Sequence, residues 1–163
     1  MNGLAIKHTL LGGLIYVAMG LYVLAAVVYC FRGRRIGEMV FFGGFLLAVS
    51  AWVWRWIQVG YPPMQNLFEV FLMLGALVYP LSWVCRRYLS IPLPGVDALI
   101  GAAVLFPAGL VFKADPQMLP PALQSWLFVP HVASYMLAYM VLFMAWAQAV
   151  AQLVLGDPRY EAA

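Results

Sequence analysis

Charge is scarce in this sequence. Of 163 residues, nine are Lys or Arg and six are Asp or Glu, so 9% are charged, whereas soluble domains carry about a quarter. Hydrophobic residues make up 66% and the mean hydropathy is +0.92. A soluble fold of this length could not hide that much apolar surface, so a soluble domain is excluded. Cysteine is also scarce. Cys30 and Cys85 form no CxxC, no metal-ligand spacing and no CxxCH, which excludes a zinc ribbon and a c-type cytochrome. There are two histidines. No Ser-His-Asp set, no paired catalytic carboxylates and no phosphate-cradling glycine loop occur, so the chain shows no self-sufficient active site. Net charge is +3, but no basic patch with interleaved aromatics accompanies it. That argues against a nucleic-acid partner.

The chain instead contains five apolar stretches, each near the roughly 20 residues that a bilayer core requires. They run over about 9–31, 36–60, 67–85, 95–113 and 130–155. The expected fold class is therefore all-α: a single integral membrane domain over 1–163, a bundle of about five transmembrane helices with membrane lipid as its solvent. The first stretch is too long for a signal-peptide core and has no small-residue cleavage site after it, so a retained helix is expected. Arg32, Arg34 and Arg35 fall between the first two stretches, Arg86 and Arg87 between the third and fourth, and Arg159 after the fifth. The opposite side has only Lys7 and Lys113 near helix ends. The positive-inside rule then puts the N-terminus outside and the C-terminus in the cytoplasm. Two loops face outward, 61–66 and 114–129. Both cysteines fall at cytoplasmic ends, where thiols stay reduced, and no disulfide is expected. Gly12, Gly13, Gly20, Gly43, Gly44 and Gly101 would let helices approach closely. Pro80 and Pro107 should kink or loosen the third and fourth helices.

A few residues could carry chemistry. His131 follows Pro130, a residue favoured at a helix start, which places the imidazole at the outer end of helix five. It reads either as an interfacial hydrogen-bonding histidine or as a ligand for haem iron or another metal. Trp52, Trp54 and Trp56 surround Arg55 in the run WVWRW. Trp52 and Trp56 share a helix face. They are either an interfacial aromatic belt or a stacking wall for a flat apolar cofactor. In the second case Arg55 could meet a propionate. Glu69 is an acid at membrane depth, where a partner or a function is expected. Its simplest partner is Arg55, and Asn66-x-x-Glu69 also has the form of a capping box. His8 reads as structural.

Two segments together resemble the CcsA/ResC-type cytochrome c synthesis proteins, a haem-handling membrane family. The first is GYPPMQNLFEVFLMLGALVY, residues 60–79, with Pro63 and the helix start Asn66-Leu67-Phe68-Glu69. The second is LPPALQSWLFVPHVASYMLAYMVLFMAW, residues 119–146, with Leu123-Gln124-Ser125-Trp126-Leu127 ahead of His131-Val132. Their order, spacing and side agree with the topology read from the charges. The resemblance covers about 40–151. It implies that His131 is an axial ligand to haem b, held transiently at the outer surface. Trp126, Trp52 and Trp56 would wall the haem, and Arg55 or Lys113 would meet its propionates. The family's tryptophan-rich W-G-x-x-W-x-W-D loop and its second outward histidine have no counterpart here, so the chain is similar to the front half of such a protein.

The resemblance implies a subunit of a cytochrome c biogenesis system in the bacterial cytoplasmic (inner) membrane. A second membrane protein would supply the tryptophan-rich loop and the second axial histidine, and apocytochrome c would receive the haem. Such a chain is at most part of a haem lyase and is not catalytic alone. The alternative is a non-enzymatic scaffold of a redox complex that keeps the fold and binds no haem. A small transporter is the weaker third reading, since intramembrane charge is scarce and no paired helix break appears.

Overall fold

The computed structural model of the chain describes residues 9–31, 33–89, 93–116 and 125–155. Lys7, His8, Arg32, Leu123, Gln124 and Arg159 lie outside the described residues. The described residues are helical with connecting turns and contain no strand. The helices are α1 (Leu10–Cys30), α2 (Arg34–Val59), α3 (Leu67–Tyr88), α4 (Pro94–Phe106, continued by a wider π turn over Pro107–Val111) and α5 (Phe128–Leu155). All five are long and apolar enough to cross a membrane, counting α4 with its π turn. The all-α, five-span architecture expected from the sequence is therefore present.

The helix ends follow local chemistry. Thr9 caps α1, its Oγ1 accepting from the Gly12 N–H at 3.2 Å. Gly60 ends α2 in the left-handed region at φ 75°. A residue without Cβ takes that conformation at little cost. Asn66 caps α3 and Pro94 opens α4. Pro107 has no N–H to continue the α ladder, and the chain opens into the π turn, closed by Phe112 N–H to Pro107 O at 2.9 Å. Tyr16 on α1 donates to the Gly109 carbonyl within that turn at 2.9 Å. The loosening expected at Pro107 is thus a defined turn that binds α1. α5 starts two residues before Pro130, so the proline stands within the first turn, where no backbone donor is needed.

The first four helices form a ring: α1 packs on α2 and α4, and α3 packs on α2 and α4. Tyr22 is its hub. Its ring, fully buried, lies against Gly44 of α2 and Gly101 of α4; a Cβ at either glycine would meet it at 2.6 Å. Its hydroxyl donates to the Gly75 carbonyl of α3 at 3.0 Å. One tyrosine therefore touches all three neighbouring helices, and the glycines let them close on it. Ile15, Ala18, Phe41, Ala48, Leu72 and Leu105 complete the surrounding core. α5 stands outside the ring, against α3 and α4. Its buried residues, Met136, Met140, Met144 and Gln148, recur every fourth position.

The bundle has two poles. The ends of α2 and α4 and the starts of α1, α3 and α5 share one, with the loop over 60–66 and the described segments 112–116 and 125–127. Arg34, Arg35, Arg86 and Arg87 share the other.

Candidate functional site

At the loop pole, the short connection between α2 and α3 is organised by one carboxylate. Glu69 is fully buried. Its Oε1 accepts from Arg55 Nε at 3.1 Å and from Arg55 Nη2 at 2.9 Å, and its Oε2 accepts from the Gln65 backbone N–H at 2.9 Å. The Asn66 side chain accepts from the Glu69 N–H at 2.8 Å and donates to the Asp115 carbonyl at 3.1 Å. The N-x-x-E pattern is therefore a helix cap, an ion pair and a bridge between the two loops of that pole. Arg55 is also buried, 5.6 Å from the Phe68 ring centroid, and Pro63 and Met64 are buried beneath the loop. The geometry commits the guanidinium to Glu69 and fills its surroundings with protein.

Trp52 and Trp56 meet edge to face at 5.0 Å, as their spacing requires. Trp52 is half-buried and its indole N–H has no partner among the described residues; Trp56 is exposed. They lie on α2, whereas α5 packs on α3 and α4. No hydrogen bond or ring contact joins them to His131 or Trp126 among the described residues.

His131 stands in the first turn of α5, exposed, with its backbone N–H bonded to Leu127 O at 3.1 Å. The imidazole makes no hydrogen bond among the described residues and meets the Tyr135 ring edge to face at 4.7 Å. Trp126 is 84% exposed, one turn earlier. Lys113 is exposed on the neighbouring segment after α4. An imidazole and an indole are therefore both exposed at this pole.

The opposite pole holds two polar clusters that the sequence reading did not single out. Glu38 on α2 forms an ion pair with Arg86 of α3 and accepts from the hydroxyls of Tyr29 and Tyr79, each at 2.8 Å. Asp97 of α4, 1% exposed, accepts from the Ser82 hydroxyl and from Gln148 Nε2, the latter at 2.7 Å. Gln148 also donates to the Leu93 carbonyl at 3.1 Å, and its own Oε1 is buried without a partner among the described residues. A signal was present. Glu38 is the sole acid in the second apolar stretch and Asp97 the sole acid in the fourth, and an ionisable residue within a membrane span asks for a partner. Cys30 and Cys85 are free thiols near the same pole.

The chain is 34% identical over 108 residues to the cytochrome c biogenesis protein CcsA of Synechococcus sp. (strain JA-3-3Ab). Over part of its length the chain is therefore similar to a CcsA-type cytochrome c biogenesis protein. The match covers 61% of this chain and 30% of the length of that protein. No family model and no solved structure matches the chain. The resemblance to CcsA-type proteins read from the sequence therefore stands, for part of that relative's length. With five helices long and apolar enough to cross a membrane among the described residues, the chain is a multi-pass membrane protein.

Proposed function

We propose that this chain is a haem-handling membrane subunit of a cytochrome c biogenesis system. Haem b is its cargo, bound transiently at the outer face of a bacterial inner membrane, with the loop pole outward. His131 supplies one axial nitrogen. Trp126 covers a haem face, and Lys113 meets a propionate. The carrying observation is the imidazole of His131: exposed, at the start of a helix, and without a hydrogen bond among the described residues. Both ring nitrogens are thus uncommitted to protein groups among the described residues, and a neutral imidazole is a common metal ligand. Kinship with CcsA supports haem as the molecule concerned.

Arg55 has a different part in this reading. Its bonds to Glu69 hold the loop pole in shape, and the propionate role passes to Lys113. Trp52 and Trp56 serve as an aromatic belt on α2. A single histidine leaves the far side of the iron open, so a second membrane chain completes the coordination and presents apocytochrome c. Chemistry on the haem belongs to that assembly.

The test is the visible spectrum of the purified chain, with and without its co-expressed partner, beside His131→Ala. A Soret band that requires His131 supports the reading. A complex that forms normally and carries no haem in any preparation overturns it in favour of a scaffold.

A further inference from the structure

α5 buries one stripe and exposes another. At about 100° per residue, Tyr135, Tyr139, Leu142, Trp146 and Leu153 fall within an arc of roughly 60°, away from the Met136, Met140 and Met144 face. These five are 50–86% exposed. Their spacing of four, three, four and seven is the a/d register along which a second helix packs. The ribbon extends over 18 intervals, about 27 Å at the α-helical rise, close to the full depth of a hydrocarbon core.

Tyr139 sets the occupant. It is 64% exposed and lies two residues from the middle of the Phe128–Val154 span. Its hydroxyl has no hydrogen-bond partner among the described residues, and a headgroup is about 15 Å away, too far to reach by snorkelling. Acyl chains offer no acceptor, and a hydroxyl left unpaired in hydrocarbon is costly. Beside it opens a hollow of about 280 Å³, lined by Phe71 and Leu74 of α3, Ala103 and Val104 of α4, and Tyr139 and Phe143 of α5. A small ligand would fill the hollow and leave the rest of the ribbon bare. A helix would cover the ribbon and set one large side chain into the hollow.

We infer that the Tyr135–Leu153 ribbon is the docking face for a transmembrane helix of a second membrane chain. That helix carries a hydrogen-bond acceptor at the level of Tyr139 and a large apolar side chain beside it. The inference deepens the proposed function and rests on its partner chain; the relative, of which this chain spans 30%, has ample further sequence to supply such a helix.

Photo-crosslinking in native membranes tests it, with p-benzoylphenylalanine placed at Tyr135 or Trp146 and, as a lipid-facing control, at Met39 of α2, which is 73% exposed. The expected result is capture of one polypeptide from both α5 positions, with the crosslinked residues about eleven apart on one apolar segment, and no capture from Met39. Tyr139→Phe should lower the yield about three- to tenfold, the range for interhelical hydrogen bonds in bilayers. Adducts with lipid alone, or with a second copy of this chain, overturn the inference, as does a yield indifferent to Tyr139→Phe. The spectrum of His131→Ala is read separately. Capture without any haem band leaves the docking face standing and removes the haem reading.

Discussion

Arg55 and Glu69 lock the base of the α2–α3 loop. Both side chains are at most 5% exposed, and the guanidinium places Nε and Nη2 on the same carboxylate oxygen at 3.1 and 2.9 Å. The other oxygen receives the Gln65 N–H, and the Glu69 N–H returns to Asn66. One side chain thus fixes where α2 ends, how the loop turns and where α3 begins. Through Asn66 and the Asp115 carbonyl the same network reaches the segment leading toward His131.

Removing one member of this pair should cost far more than removing both. Glu69→Ala leaves a buried guanidinium unpaired, and about 3–5 kcal/mol of stability is expected to go. The double variant Arg55→Met with Glu69→Leu should lose much less, since no charge remains buried. Equilibrium unfolding of the wild type, Arg55→Met, Glu69→Leu and the double variant in mixed micelles measures the difference. Additive losses would contradict the pairing.

Tyr22 makes a second quantitative claim. Gly101→Ala or Gly44→Ala drives a methyl to within 2.6 Å of its ring, against a side chain anchored by its hydroxyl. Overpacking of this kind costs about 1–3 kcal/mol. Gly20→Ala is the control, because a Cβ there meets nothing within 4 Å. Gly101→Ala combined with Tyr22→Leu should recover part of the loss. Thermal unfolding in detergent reads all four.

The sequence disclosed these features unevenly, for physical reasons. Five spans were legible because a bilayer imposes length and apolarity on every helix, and Asn66-x-x-Glu69 was legible because caps are local. Arg55 could be paired with Glu69 because a six-residue loop leaves the two helix ends little freedom. The company kept by Glu38 and Asp97 was not legible. Arg86 is 48 residues from Glu38, and Gln148 is 51 from Asp97, and only the packing of the ring brings them together. Trp52 and Trp56 show the opposite case. Their shared face was correct, yet a face says nothing about which helix lies opposite, and α5 packs elsewhere.

Gln148 should matter to α5 more than to the rest of the bundle. It is the polar end of a stripe otherwise made of methionines, and its amide binds both Asp97 and the Leu93 carbonyl. Gln148→Leu leaves Asp97 with Ser82 as its one hydrogen-bond partner among the described residues, at an expected cost of about 1–3 kcal/mol. The loss should be local. Maleimide labelling of a cysteine at Met140 should accelerate, while one at Ala18, in the ring core, should stay protected. Equal acceleration at both would show that α5 is not a separable layer.

His131→Ala should be nearly silent in stability. The side chain is exposed, makes no hydrogen bond among the described residues, and meets the Tyr135 ring edge to face at 4.7 Å. Surface substitutions of this kind fall within about 0.5 kcal/mol. Glu69→Ala, at the same pole, removes a buried charge partner and should unfold the loop region. A haem band lost in both variants would therefore have two meanings, separated by their melting curves: loss of the ligand for His131→Ala, loss of the pole for Glu69→Ala. A His131→Ala protein that melts several degrees early would place the imidazole in the structural framework instead, and its spectrum would then carry no information about iron.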